Sequence, residues 1–315
     1  MRRPKVAAAG AGLGAGIWGM RHWRSSAVQS WRPSRLRGRR AGPLHVRTAG
    51  SGEETIVLLH GLVATGDIFG NLFDQLASQA NLVVPDLLGF GRSLDEERTS
   101  FTPDYHLDAL EAALRELGLG GRPVRIGAHS MGGTLAMRWI QRDSTPITSI
   151  ACFGPPVYRT SDAIDRTIAS SGLMARTFVS NTRWAQAACH LNCSHRRVAG
   201  VVAAAASPQL PVAIARSASL HTWPAYHDAM DQLIRATDWT EGLRRASDAH
   251  IPVDLIWGEH DRVGDRHYAA TLPHVSTYTV PGAGHHLPMT HPALCLEYLA
   301  TVNEAGRGVR GTPLR

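Results

Sequence analysis

The most informative segment of the chain is Val124-Arg125-Ile126-Gly127-Ala128-His129-Ser130-Met131-Gly132-Gly133-Thr134. It predicts a buried strand that turns sharply into a helix, with Ser130 at the apex of the turn. Ala128 and Gly132, two positions before and after the serine, are small enough for strand and helix to approach closely. The pattern A-x-S-x-G differs from the commoner G-x-S-x-G by a single Cβ. We therefore expect the turn to form and to lift the serine hydroxyl clear of the strand.

Two further predicted strands end beside residues that complete the chemistry of a serine nucleophile. The strand at 251–257 leads to Asp261, and the strand at 276–280 leads to a Gly-rich turn and His285. A serine hydroxyl is a weak nucleophile at neutral pH, so it needs a base, and the base needs an acid to orient it. Serine, acid and histidine in this chain order predict a Ser130–His285–Asp261 triad.

The chain resembles the α/β-hydrolase superfamily over roughly residues 43 to 304. The matching segments are the Ser130 turn, the Asp261 and His285 segments, His60-Gly61 after the strand 55–59, and the loop from Pro85 to Ser93. The resemblance implies an α/β fold with a mostly parallel, doubly wound sheet and an inserted helical cap. It also implies an oxyanion hole made by the backbone N–H groups of Leu62 and Met131. Met131 fits independently, because the first N–H groups of a helix lack intrahelical acceptors.

Neighbouring residues offer alternatives for the acid and the base. Glu259 and Asp265 compete with Asp261, which alone matches the family position, and His286 competes with His285. Other polar side chains near these loops are interpreted as local hydrogen-bonding, packing or turn-forming residues: His60, His129, Asp86 and Ser93.

The resemblance implies a serine hydrolase that cleaves a small or medium apolar carboxylic ester through an acyl-enzyme intermediate, with no metal or organic cofactor. C–C bond hydrolases and cofactor-free perhydrolases of this fold use the same triad and stay as alternatives. A ligand-binding member without catalysis is the alternative from another class. Haloalkane dehalogenases and epoxide hydrolases of this fold are disfavoured, because they attack through an aspartate where this chain has Ser130.

The segment 156–246 lacks the strand-then-glycine pattern of the rest of the chain, and we interpret it as the helical cap. It separates two predicted core segments, 41–155 and 247–305. Within the cap the helix-favouring segments are 162–178, 182–193, 198–206 and 226–237, with breaks at Pro208, Pro211 and Pro224. The resemblance places a cap over the active site, so its large apolar residues are candidates for a substrate pocket: Met174, Phe178, Trp184 and Trp223.

A helix outside the cap is also predicted from its end signals. Thr102 and Pro103 are typical of an N-cap and a first helical position, and Gly118 is typical of a helix end. Strands alternating with helices predict a parallel sheet that is covered on both faces. Catalytic groups in such sheets lie beyond the carboxyl ends of the strands, which is where the triad residues fall.

Positive charge is concentrated at the N-terminus. Residues 1–40 hold ten of the 33 Lys and Arg residues and no acid. Residues 41–315 therefore hold 23 basic against 26 acidic residues, a net charge of about −3. The basic pI therefore describes this extension and does not indicate nucleic-acid binding. Residues 6–20 are uncharged, but 15 residues are fewer than the ~20 that cross a bilayer. We expect a cytoplasmic protein whose extension contacts anionic membrane peripherally, although a signal, an anchor or a mobile arm stays open. The last residues, 306–315, are expected to form a flexible tail.

Two motifs lack the context that their functions need. Gly10 to Ala15 fits a dinucleotide-binding fingerprint, but no acid follows before Glu53. A group in the cap has spacing typical of metal ligands, without a second cluster to complete a tetrahedral site: Cys189, His190, Cys193 and His195. We therefore expect neither a dinucleotide nor a metal.

Overall fold

The computed structural model describes residues 31–170, 183–207, 210–300 and 312–313. Within them, one sheet contains the strands β1 Gly38–Ala41, β2 Leu44–Ala49, β3 Thr55–Leu59, β4 Asn81–Pro85, β5 Val124–His129, β6 Ile147–Phe153, β7 Val253–Gly258, β8 Ser276–Val280 and β9 Thr312–Pro313. Their order across the sheet is β1-β2-β4-β3-β5-β6-β7-β8-β9. Strands β3 to β8 pair in parallel, and β1, β2 and β9 pair antiparallel to their neighbours.

Helices connect the strands and make up most of the described part of the predicted cap segment. The described α-helices are α1 Pro103–Glu116, α2 Met131–Trp139, α3 Ser161–Ser170, α4 Arg183–Ser194, α5 Arg196–Ala206, α6 Val212–Ser217, α7 Trp223–Asp228, α8 Trp239–Asp248, α9 Arg266–Ala269, α10 Leu287–Thr290 and α11 Pro292–Ala300. Short 3₁₀ helices cover Gly66–Ile68, Asn71–Ser78 and Gly91–Ser93, and a π-helix covers Ala229–Arg235. No helix in these ranges combines the length and apolarity needed to span a bilayer.

Both faces of the sheet are buried, as the sequence predicts for a parallel sheet. In β3, Val57 and Leu59 belong to a core cluster shared with α1 and α2, whereas Ile56 and Leu58 belong to a second cluster shared with α11. Successive side chains of a strand point to opposite faces, so a run of consecutive apolar residues serves two cores at once. This is the predicted doubly wound α/β fold.

Helix α1 forms between its predicted end signals. The Thr102 hydroxyl accepts the Tyr105 N–H, Pro103 occupies the first turn, and Gly118 has a φ of +73° beyond the last turn. The Leu119 N–H then returns to the Leu114 carbonyl, which closes the helix end. Capping at both ends fixes the length of this helix against the sheet.

The structure departs from several predicted boundaries. Strand β1 begins at Gly38, inside the segment assigned to the N-terminal extension, and Thr312–Pro313 in the predicted flexible tail pairs with β8. In the cap, Pro224 lies in the first turn of α7, where a proline is tolerated because its missing N–H has no helical acceptor, so the predicted break falls just before it, at residues 218–222. The described helices α6 and α8 lie outside the predicted helical segments.

Asp86 organises the loop after β4. Its carboxylate is buried and accepts the backbone N–H groups of Gly66 and Arg92, at 2.8 and 2.9 Å, while its carbonyl accepts the Ser93 hydroxyl at 2.6 Å. These bonds tie two loops at the carboxyl edge of the sheet together. They agree with the interpretation of Asp86 and Ser93 as turn-forming residues.

We expect Asp86→Ala to lower the free energy of unfolding by about 2 to 4 kcal/mol, because one buried and one partly buried N–H group lose their acceptor. Urea denaturation measures the change. Asp104→Ala is the matched control: its carboxylate is 79% exposed and pairs with Arg142, so its loss should cost under about 1 kcal/mol. Equal effects of the two substitutions would contradict a structural role for Asp86.

Candidate active site

Ser130 lies in a strained turn between β5 and α2. Its backbone has φ 51° and ψ −120°, a conformation that L-residues rarely adopt. The Ser130 N–H donates to the Phe153 carbonyl at 2.9 Å, and the Gly133 N–H donates to the Ser130 carbonyl at 2.8 Å. A Cβ on Gly132 would lie 2.5 Å from the Leu59 carbonyl oxygen. The close approach predicted for Gly132 is therefore present, and backbone bonds on both sides hold Ser130 in its turn.

Asp261 and His285, the acid and base predicted after β7 and β8, lie within hydrogen-bond distance of each other. The His285 Nδ1 lies 3.1 and 3.0 Å from the two carboxylate oxygens of Asp261. The Asp261 side chain is 0% exposed and that of His285 is 23% exposed. The Val263 N–H also donates to the Asp261 Oδ1, at 2.8 Å. The Asp261 carboxylate is thus buried and held in place, while the His285 ring stays partly exposed.

Gly154 was not identified from the sequence. It follows β6 with a φ of +61°, and a Cβ at this position would lie 2.9 Å from both the Asp261 Oδ2 and the His285 Nδ1. Its N–H donates to the Ile256 carbonyl of β7 at 2.7 Å. The acid–base pair therefore packs directly on the backbone of Gly154. The only available signal was a glycine directly after the apolar segment 150–153, and many glycines share such a position.

The rival acids and the rival base have other partners. The Glu259 carboxylate accepts the Gly282 N–H at 2.8 Å, and Asp265 caps α9 by accepting the Tyr268 N–H at 2.9 Å. Burial lowers the pKa of His286 to about 4, and its carbonyl accepts N–H groups at the start of α10. Among these candidates the structure brings only Asp261 and His285 within hydrogen-bond distance of each other.

His60 holds the loop beside Ser130. The Leu87 N–H donates to its Nε2 at 2.8 Å, so the Nδ1 carries the ring proton and donates to the Gly61 carbonyl at 2.8 Å. Complete burial lowers the pKa of His60 and keeps it neutral. Because a trans peptide directs its C=O and N–H oppositely, this bond aims the Leu62 N–H away from His60.

The Leu62 loop and the start of α2 both border Ser130. A Cβ on Gly61 would lie 3.0 Å from the Ser130 Cβ, so the loop packs directly on the serine. Val63, which follows Leu62, has a φ of 51°, a second strained position for a β-branched residue. Met131 is the first residue of α2, so no carbonyl of a preceding helical turn is present to accept its N–H. The loop that holds Leu62 and the first residue of α2 therefore both lie next to Ser130, and the oxyanion hole made by their N–H groups stays a prediction.

His129 supports the backbone of His285. Its Nε2 donates to the His285 carbonyl at 3.0 Å, and the two rings lie 4.9 Å apart. Burial, with a smaller contribution from the neighbouring His285, lowers the pKa of His129 well below its usual value. The neutral ring therefore acts as a local hydrogen-bonding residue, as the sequence suggested.

A cavity of about 260 Å³ lies between the Leu62 loop and the predicted cap. Its described lining is Leu62, Val63, Cys189, Asn192, Ala199, Ala203, Ala218, Ser219, His221, Trp223 and Tyr226. Of the four predicted pocket residues, Trp223 is part of this wall, with its ring 5.9 Å from that of Tyr226. Met174, Phe178 and the side chain of Trp184 lie outside the described residues.

The cysteine and histidine group in the cap assembles only in part. The Cys189 Sγ lies 3.9 Å from the Cys193 Sγ and 3.6 Å from the His221 Nε2, a histidine that the sequence motif did not include. His190 and His195 are exposed. In the described part of the chain, no three His, Cys, Asp or Glu side chains are arranged to hold a metal ion.

Sequence relatives match only part of this chain. Lipase 3 of Moraxella sp. (strain TA144) is 34% identical over 101 residues, which are 31% of this chain and 30% of that protein. The probable lysophospholipase BODYGUARD 2 of Arabidopsis thaliana is 30% identical over 112 residues, 34% of this chain and 23% of the relative. The aligned part thus spans less than a third of each relative's length.

Solved structures match over nearly the whole chain. E-2-(acetamidomethylene)succinate hydrolase has a TM-score of 0.65 at 19% identity, covering 86% of this chain and 100% of its own. The bromoperoxidase from Bacillus anthracis has a TM-score of 0.63 at 20% identity, covering 85% and 100%. At these identities the likeness concerns the fold. The family model for the alpha/beta hydrolase fold matches residues 54–292, and the chain therefore belongs to the alpha/beta hydrolase fold family.

Proposed function

We propose that the protein is a serine hydrolase that cleaves a small or medium apolar carboxylic ester. The observation that carries the proposal is the Asp261–His285 hydrogen bond at the same sheet edge as the strained Ser130. The Moraxella lipase and the Arabidopsis probable lysophospholipase, both named for ester cleavage, support this reaction class.

In the proposed mechanism, His285 takes the proton from the Ser130 Oγ as that oxygen attacks the acyl carbonyl. Asp261 keeps the ring proton on Nδ1, which leaves Nε2 free as the base, and it stabilises the imidazolium that forms. The Leu62 and Met131 N–H groups bind the developing oxyanion. His285 then protonates the leaving alcohol and activates the water that releases the acid from Ser130.

The cavity beside Leu62 supports an apolar acyl or alcohol group in the substrate. Its described wall is built largely from aliphatic and aromatic side chains. It adjoins the proposed oxyanion hole, because Leu62 belongs to both. A substrate whose carbonyl oxygen is bound at the Leu62 N–H therefore has an apolar volume next to it.

A fluorophosphonate probe tests the proposal directly, because it phosphonylates an activated serine. We expect one adduct on the intact protein, which peptide mass spectrometry places on Ser130, and none after heat denaturation. The other serines of the chain are the internal comparison. Absence of labelling would favour a ligand-binding protein without this chemistry, and labelling at another serine would place the nucleophile there.

Trp223→Ala tests the role of the cavity. Removing the indole enlarges the pocket, so the preferred acyl chain in a series of p-nitrophenyl esters should lengthen by about two or more carbons, with kcat/KM for the longer esters rising severalfold. Trp139→Phe, a change at a buried tryptophan of α2, is the control and should leave the preference unchanged. An unaltered chain-length profile in Trp223→Ala would place the substrate elsewhere.

Gly154→Ala should lower kcat about a hundredfold, because the added Cβ would lie 2.9 Å from both partners of the acid–base pair and displace them. Turnover of p-nitrophenyl acetate measures the effect. Gly121→Ala is the matched control: its φ is also positive, at +75°, but no atom lies within 4 Å of the added Cβ. If both variants lose activity equally, backbone strain and not displacement is the cause.

A further inference from the structure

Helix α5 presents an apolar stripe to solvent. Val198, Val201 and Val202 are 63%, 57% and 59% exposed, and Ala205 extends the same stripe by one turn. This i, i+3, i+4, i+7 spacing is the pattern with which helices normally face a core. Leu191 lies on α4, seven residues before Val198 in the sequence, and is 65% exposed. Exposed apolar side chains therefore lie on both helices, and no described residue covers them.

The opposite face of α5 is already used. Ala199 and Ala203 line the cavity beside Leu62, and Gly200 is buried against the backbone of Arg216 in α6. The inward face thus accounts for the packing of α5 onto the protein. Exposed apolar side chains on the outward face serve no packing purpose within the described chain, and such patches mark interaction surfaces.

The surroundings of the stripe are strongly basic. Residues 166–227 contain six Arg and no Asp or Glu, although the whole chain has 26 acids. Arg197 and Arg216 are exposed, and among the described residues neither forms an ion pair with a carboxylate. Both line a cleft of about 410 Å³ between α5, α6 and the loop after β4.

The charged groups that face this cleft leave it with unneutralised positive charge. Besides Arg197 and Arg216, its wall holds two arginines and two aspartates: Arg92, Arg196, Asp67 and Asp86. Arg92 is paired with both aspartates, and Arg196 is paired with Glu96. The remaining two guanidinium groups are available to an external anion.

We propose that the outward face of α5, with Arg197 and Arg216 at its side, docks on an anionic lipid surface. Aliphatic side chains enter the boundary between headgroups and acyl chains, while arginines bind the phosphates above them. The exposed stripe of α5 contains valine and alanine, whereas protein-binding hot spots favour tryptophan and tyrosine. This surface contains none of the proposed triad residues, so the proposal stands or fails independently of the ester chemistry.

Co-sedimentation of the full chain with vesicles of phosphatidylcholine, with and without phosphatidylglycerol, tests the docking. The triple variant V198S/V201S/V202S should need at least about tenfold more lipid for half-binding to the anionic vesicles. R197Q/R216Q should need about tenfold more and should bind with a weaker salt dependence. Residues 1–40 are present in every variant, so any binding by that basic segment cancels in the comparison.

Two controls match these variants elsewhere on the surface. Leu72→Ser removes a 47% exposed apolar side chain from the Asn71–Ser78 helix. R115Q/R122Q removes two arginines next to the start of β5, at the sheet edge opposite the triad. Both should bind vesicles like the unaltered protein, and thermal unfolding checks that every variant is folded.

Three results would overturn the proposal. The first is unchanged vesicle binding by the triple variant and by R197Q/R216Q. The second is equal binding to vesicles with and without phosphatidylglycerol. The third is a lipid-free dimer in light scattering that the triple variant abolishes, because the stripe would then be a contact between two copies of this chain.

Discussion

Ser130→Ala should lower kcat for a p-nitrophenyl ester by about six orders of magnitude, as expected when the nucleophile of a triad is removed. Any rate enhancement that remains over uncatalysed hydrolysis in water would come from the Leu62 and Met131 N–H groups, which the substitution leaves in place. Assays sampled over long reaction times measure the residual rate of ester hydrolysis, and the fluorophosphonate probe is a second readout. Ser78→Ala, at an exposed serine in a 3₁₀ helix, is the control and should keep full activity.

Ser130→Gly separates the chemistry from the strain of the turn. A φ of 51° with a ψ of −120° is favourable for glycine and costs a residue with a side chain about 1 to 3 kcal/mol. The glycine variant should therefore be as inactive as the alanine variant but more stable to urea by that amount. Wild-type turnover in either variant would place the nucleophile elsewhere, and equal stabilities would show that the turn carries no strain.

The parts of the fold that rest on local pattern were predictable from the sequence. The bounds of β3 follow from an apolar run and those of β8 from a run of β-favouring residues, each ending at turn residues, and Thr102 and Gly118 bracket α1 through local capping. The order of Ser130, Asp261 and His285, each after its own strand, is also evident from the sequence. Each of these features depends on residues that are close in sequence, which is why they were accessible without coordinates.

Features that depend on distant contacts were not predictable. Gly154 matters because its backbone supports Asp261 and His285, more than 100 residues later in the chain. Gly127 has no role in the local turn motif, yet its missing Cβ makes room for Leu299 of α11. The cap prediction Tyr226 to Thr237 missed the change from α-helix to π-helix at Ala229, since helical periodicity does not distinguish the two.

Asp261→Asn should lower kcat by about four orders of magnitude while the fold stays intact. The Asp261 Oδ1 accepts the Val263 N–H, so the amide oxygen of the asparagine keeps that position. Its NH₂ group then takes the place of Oδ2 and faces the His285 Nδ1. An N–H donor there forces the ring proton onto Nε2, and His285 loses the lone pair with which it would deprotonate Ser130.

The two rival acids provide matched controls for this substitution. Asp265→Asn removes a carboxylate that caps α9, and Glu259→Gln removes one that binds the Gly282 N–H, so each should lower kcat less than about tenfold. Urea denaturation of all three variants separates loss of folding from loss of catalysis. If Asp265→Asn or Glu259→Gln instead produced the larger loss in kcat, the base would be oriented by that carboxylate. A small effect of Asp261→Asn alone would mean that burial and the His129 contact suffice to fix the ring of His285.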